Sequence, residues 1–206
     1  MYEALAYFAS KVRFAGQVKL YKLLYYLDLL HFRRTGQTVT GLTYEAWPMG
    51  PVPAALDREF GDKASTLHER FEVQKYRRVQ EYDAPTVDST EEDVERNGAR
   101  STHLPGSLKP RQQYRHQYLS RREMKLADLL AEIFQDATAA QMSDVSHSKF
   151  GPWRKALRRG SEQGAKGPVI DLLEGVVACG NAKEELPPDE LREAVAERAR
   201  IDEILG

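Results

Sequence analysis

The stretch Val18-Lys19-Leu20-Tyr21-Lys22-Leu23-Leu24-Tyr25-Tyr26-Leu27-Asp28-Leu29-Leu30-His31-Phe32-Arg33-Arg34 decides the fold. Leu20, Leu23, Leu24, Leu27 and His31 recur at i, i+3, i+4, i+7 and i+11, the spacing of one helix face. Tyr21, Tyr25, Asp28 and Phe32 form a second stripe beside it, so most of the circumference is apolar or aromatic. A helix of that kind must be surrounded by other elements, and this one is predicted to run through the middle of the core. Lys22 and Asp28 interrupt the run, which keeps it short of the ~20 apolar residues that a bilayer crossing needs.

Outward from this helix the chain alternates helix signals with turn chemistry. Gly36 follows the basic pair Arg33-Arg34, as a helix C-terminus prefers. Upstream, Tyr2 to Lys11 reads as a short helix with Leu5, Phe8 and Ala9 on one side, separated by Gly16. Downstream, Thr38 to Trp47 is β-branched and aromatic and predicts short extended segments. Pro48-Met49-Gly50-Pro51-Val52-Pro53 predicts a rigid turn, since each proline fixes its own φ and constrains the residue before it. A helix then restarts near Pro53 and carries Leu56 and Phe60 to Gly61.

The middle of the chain predicts a strand over Phe71–Tyr82 with an antiparallel partner at Arg111–Leu119. Between them, Asp83–Pro110 is polar, contains Asp88, Glu91, Glu92, Asp93 and Glu95, and reads as a long loop or an insertion at a hairpin tip. Ser120 and Glu123 form a capping-box pair ahead of a helix with Met124, Ala127, Leu130, Ala131 and Phe134 on one face. Thr138 and Gln141 repeat that signal before a short helix reaching His147. Pro152 opens a helix carrying Trp153, Ala156 and Leu157, and Pro187-Pro188-Asp189 precedes a charged terminal helix with Leu191, Val195, Ile201 and Leu205. The expected fold is mainly α (α+β): a helical domain over 1–180 with a small antiparallel β-hairpin or sheet, an insertion near 83–110, and a C-terminal helical extension over 181–206.

Composition narrows the function classes. The 206 residues carry 30 Lys+Arg against 31 Asp+Glu, a net charge of −1, which excludes a polybasic protein that grips nucleic acid by bulk electrostatics. The single cysteine, Cys179, can form neither an intramolecular disulfide nor a multi-thiolate zinc site, and a reducing compartment suits it. Met1-Tyr2-Glu3-Ala4 lacks the basic and apolar regions of a secretory signal, so the expected location is the cytoplasm, without membrane attachment.

Few residues pair up for chemistry. There is no glycine-rich phosphate loop, and His31, His68, His103, His116 and His147 lack the short paired spacing of metal ligands, so neither cofactor nor metal is expected. Asp28 and His31 are i, i+3 neighbours and form a geometrically possible acid–base pair. The plainer expectation is that Asp28 accepts hydrogen bonds from another element and His31 fills a partly buried position. Nothing supplies a nucleophile or oxyanion site, so the chain is read as a non-enzyme. Arg111, Arg115, His116, Arg121 and Arg122, interleaved with Tyr114 and Tyr118, could contact phosphates and stack on bases, which keeps a nucleic-acid-binding regulator as the rival reading. The balanced net charge argues against it, and the acidic Asp88–Glu95 run is an alternative neighbour for this ribbon.

Lys22-Leu23-Leu24-Tyr25-Tyr26-Leu27-Asp28, then Thr35-Gly36, Thr40-Gly41 and Gly50-Pro51-Val52-Pro53, resemble the Panacea domain, the SocA-like antitoxin family of bacteria and phages. Ser146-His147 with Trp153 is similar to a further element of that family, and the resemblance spans about Tyr2 to Leu173. It implies an antitoxin that neutralises a cognate protein toxin by direct contact. For the SocA branch it implies an adaptor that delivers the toxin to a ClpXP-type protease. Tyr25, Asp28, His31, Gly41, Gly50, Pro51, Pro53, His147 and Trp153 are the motif residues, for scaffold or partner contact. The terminal helix Asp189–Leu205 is a candidate partner surface or homo-oligomer contact.

Overall fold

The computed structural model describes residues 1–74, 107–115, 117–139, 141–142, 151–162, 167–175 and 185–205. Among these are seven α-helices, one of them central, and two small antiparallel sheets. The helices are α1 (Tyr2–Lys11), α2 (Gln17–Thr35), α3 (Ala54–Gly61), α4 (Thr66–Arg70), α5 (Arg121–Ile133), α6 (Pro152–Glu162) and α7 (Pro188–Leu205). The strands are β1 (Tyr44–Trp47), β2 (Gly50–Pro53), β3 (Phe71–Gln74) and β4 (Ser107–Pro110). The protein is mainly α with a small β component, as its sequence predicts. No helix among the described residues is long and apolar enough to cross a membrane.

Two cores share α2, which explains its apolar circumference. Leu20, Leu23, Leu24 and Leu27 pack with Leu5 and Phe8 of α1, Leu56 and Phe60 of α3, and Leu126 and Leu130 of α5. Tyr25, Leu29 and Phe32, on the other flank, pack with Tyr44, Ala46, Trp153, Ile170 and Leu191. Gly36 ends α2 in the left-handed conformation, at φ 72°, and its amide donates to the Phe32 carbonyl at 2.8 Å. A Cβ there would also press on Ala194 Cβ at 3.2 Å, because α7 lies against the end of α2. The Leu186 amide donates to the Arg33 carbonyl at 2.9 Å, so the start of the terminal extension is tied to α2.

Two strand expectations need correction. The Gly50–Pro53 stretch is not all turn: only Pro48 and Met49 separate β1 from β2, with Tyr44 opposite Pro53 and Ala46 opposite Pro51. The outward backbone groups of β1 bond elsewhere, the Ala46 amide to the Pro168 carbonyl and the Tyr44 carbonyl to the Ile170 amide, both at 2.8 Å. Pro51 and Pro53 therefore face positions where the ladder asks for no amide proton, and an edge strand tolerates both.

The partner of β3 is β4, with Phe71 opposite Pro110 and Val73 opposite Leu108, inside the stretch expected to be loop. The described residues of 111–119 form no strand. Their backbone is captured instead: the Gln117 and Tyr118 amides each donate to the Glu3 carboxylate at 2.7 Å, and the Arg111 amide donates to the Arg70 carbonyl. A charged acceptor at the start of α1 took the place of a ladder. Most of the 83–110 stretch, including Asp88–Glu95, lies outside the described residues, as do Ser146, His147, His103, His116 and Cys179.

Candidate functional site

Asp28 sits on α2 and is completely buried, yet its carboxylate is surrounded by donors. Oδ1 accepts the Val39 amide at 2.7 Å and the Thr40 amide at 2.8 Å; Oδ2 accepts the Tyr44 hydroxyl at 2.7 Å and the Thr40 hydroxyl. One side chain thus ties α2 to the whole connection into β1. Burial pushes its pKa above the usual carboxylate range, and the bonds from Thr40, Tyr44 and Val39 pull the other way. Gly41, at φ 71°, gives the backbone a left-handed turn immediately after the Thr40 contacts. Tyr25 packs edge-on to Tyr44, with ring centroids 5.3 Å apart and planes at 77°.

His31 is engaged elsewhere. Its Nδ1 lies 2.8 Å from the Gln37 carbonyl, so the tautomer that satisfies both groups carries its proton on Nδ1 and donates there. No hydrogen bond joins His31 to Asp28, so the i, i+3 pair does not form a relay. His147, the other candidate histidine, is outside the described residues.

The hairpin is held from its far side by α6. Trp153 is 2% exposed, and its indole N–H donates to the Trp47 carbonyl at 3.0 Å. Trp47 in turn donates its indole N–H to Glu45 Oε2 at 2.9 Å. Gly50 opens β2 at φ 123°, a conformation side chains rarely adopt, and Pro51 and Pro53 are buried beside it. Tyr25, Asp28, Gly50, Pro51, Pro53 and Trp153 thus lie in or against one buried assembly linking α2, the hairpin and α6, whereas His31 bonds to the connection that follows α2.

Three structural anchors were not singled out by sequence. Lys19 is 1% exposed and donates to the carbonyls of Arg13 and Ala137, both at 2.7 Å, and of Gln135 at 3.1 Å. Its ammonium caps the chain just beyond the C-terminus of α5, and burial lowers its pKa. Lys22, one turn on, donates to the Ala139 carbonyl. Glu3 holds the 117–118 amides. The sequence signal was there for the lysines: cations at i and i+3 on a helix with no solvent face must bond to something buried.

The outer surface offers different chemistry. Arg34 at the end of α2 and Arg121, Arg122 and Lys125 at the start of α5 line a cleft of about 650 Å³. The expected aromatic interleaving does not extend along the basic segment: Tyr114 turns inward against Tyr7, with ring centroids 5.4 Å apart, and only Tyr118 stands out, at 84% exposed. Among the described residues, no group of three or more His, Cys, Asp or Glu side chains is placed to hold a metal ion. The Asp28 assembly holds neighbouring elements together around a carboxylate that accepts four hydrogen bonds from its own chain.

Comparison with known families gives a match over residues 20–154 to the family described as antitoxin SocA-like, Panacea domain. The matched region runs from the first leucine of the α2 stripe to the residue after Trp153, and so encloses the assembly just described. No curated protein and no solved structure matches the chain significantly.

Proposed function

Because the chain belongs to the SocA-like Panacea antitoxin family, we propose that it binds and neutralises a cognate protein toxin by direct contact and performs no catalysis of its own. The observation that carries this reading is the enclosure of the Asp28 assembly within the matched region. The one carboxylate that a catalytic reading would use already accepts four donors from its own chain, and His31, three residues on, is bonded to backbone. Such a carboxylate can organise a surface, but it has no lone pair directed at a substrate. The motif residues Tyr25, Asp28, Gly41, Gly50, Pro51, Pro53 and Trp153 are therefore positioning residues, and the partner is met by side chains on the outside of the helices they fix.

Co-expression with the product of the adjacent reading frame tests this reading. The expected result is that the neighbouring product arrests growth alone and that this chain restores growth. A harmless neighbour, or one that stays toxic in the presence of this chain, contradicts the reading. A SocA-type adaptor role adds delivery of the bound toxin to a ClpXP-type protease. Under delivery the toxin's lifetime shortens only when both this chain and the protease are present; under masking alone the lifetime does not change.

A further inference from the structure

Four cations gather where α2 ends and α5 begins, although like charges on separate elements repel one another. Arg121, Arg122 and Lys125 make no hydrogen bond or ion pair among the described residues. The acids nearest them on α5 are committed: Glu123 accepts the Ser120 amide in the capping box, and Asp128 accepts the Tyr7 hydroxyl. The N-terminus of α5 adds the positive end of its dipole to the same place. A further feature continues from the cleft along the helix. Arg122, Lys125, Leu129 and Ile133 follow one another at i, i+3, i+7 and i+11, one stripe of a helix face. Leu129 is 43% exposed and Ile133 59% exposed, so the stripe is cationic at one end and apolar at the other.

We propose that this stripe and the cleft beside it form the toxin-docking surface, taking a segment of the partner that is acidic at one end and apolar at the other. The assignment rests on the antitoxin reading and deepens it. Charge complementarity selects the acidic end: guanidinium forks on Arg121 and Arg122 match carboxylate geometry. The apolar end selects a protein over a nucleic acid, because Leu129 and Ile133 have no use against a phosphate backbone, and the aromatic stacking platform that single strands need is not built.

The test pairs growth rescue with co-purification of the full chain and the product of the adjacent reading frame. Two variants are compared with the unaltered protein: Arg121→Glu with Arg122→Glu, and Leu129→Ser with Ile133→Ser. All four side chains are exposed, and acids are welcome at a helix N-terminus, so thermal melting should stay close to that of the unaltered chain. The surface predicts at least tenfold weaker binding and lost rescue for both variants, with the Leu129/Ile133 pair keeping the salt sensitivity of the unaltered chain and the arginine pair losing it.

Unchanged binding and rescue in both variants overturn the surface while leaving the antitoxin reading intact. An unaltered chain that neither binds nor protects overturns the antitoxin reading and this surface with it. Salt-sensitive binding of a DNA duplex spanning the upstream region, abolished by the arginine pair and untouched by the Leu129/Ile133 pair, would reassign the cleft to nucleic acid.

Discussion

Tyr44 donates its hydroxyl proton to Oδ2 of Asp28 across 2.7 Å, inside a region where neither residue meets solvent. The two come from different elements, Tyr44 from the first strand of the hairpin and Asp28 from the central helix. Their bond, with the three others that Asp28 accepts, fixes where the hairpin lies on the helix. Trp153 then fixes the other side of the hairpin to α6. Asp28 and Trp153 together clamp three elements, the central helix, the hairpin and α6.

Removing the acceptor should be costly. Asp28→Ala leaves two buried amides and two hydroxyls without their partner, and we expect a loss on the order of 3 kcal/mol. Asp28→Asn keeps an oxygen for the Val39 and Thr40 amides, while the two hydroxyls can rotate to accept from its NH₂ group. Because burial already disfavours the charged form, this variant should lose only about 1 kcal/mol and retain partner binding. Denaturant titration of the two variants orders them; equal losses would contradict the clamp.

Two glycine substitutions should move stability in opposite directions. A Cβ on Gly160, within α6, would lie 2.4 Å from Cγ and 2.8 Å from Cδ of Pro168, a rigid ring held beside β1. Gly160→Ala should therefore destabilise despite the better helix propensity of alanine. Gly61 at the end of α3 meets nothing within 4 Å, so Gly61→Ala should be neutral or stabilise by up to ~1 kcal/mol. Melting temperatures of both variants check the pair.

Trp153→Phe isolates the indole hydrogen bond from most of the packing. It leaves the Trp47 carbonyl without its indole donor and opens a small void, for an expected loss of about 1–3 kcal/mol. Partner binding should fall no further than the loss of folded protein explains. A binding defect in a variant that remains fully folded would place Trp153 at the interface instead.

Alkaline pH should unfold the protein through its tyrosines. Burial raises the pKa of Tyr2 and Tyr114 to about 12, helped by Glu59 and Glu3 respectively. Burial likewise raises those of Tyr7, Tyr25 and Tyr44, with Asp128 adding to the shift at Tyr7 and Asp28 at Tyr44. Unfolded tyrosine ionises near pH ~10, so the unfolded chain releases these protons first. Stability from these groups is present in full below pH ~10 and is lost as pH rises toward and past 12. Denaturation midpoints across that range, with tyrosinate absorbance followed in parallel, should fall together with ionisation.

Much of the fold was legible because its strongest signal is periodic. The stripes on Val18–Arg34 predict a central helix, and two cores on opposite flanks of α2 bear that out. The Ser120/Glu123 capping box and the glycine stop at Gly36 are local chemistry, and both stand where the residues put them. Long-range pairing was less legible. Ser107–Pro110 pairs with Phe71–Gln74 across a long gap in the chain, while the Gln117 and Tyr118 amides go to Glu3, more than a hundred residues away. The proline-rich β2 read as a turn because its tolerance for proline depends on a register that only its neighbour sets. Asp28 as a hydrogen-bond acceptor was legible, whereas its four partners and the buried role of Lys19 required the tertiary arrangement.

The central claim, neutralisation by direct contact, is tested most directly by calorimetric titration of the purified chain into the purified product of the adjacent reading frame, with toxin activity followed over the same titration. The account predicts saturable binding, with toxin activity disappearing in step with occupancy. Toxin activity that persists at full occupancy, or that disappears without any complex, would contradict it.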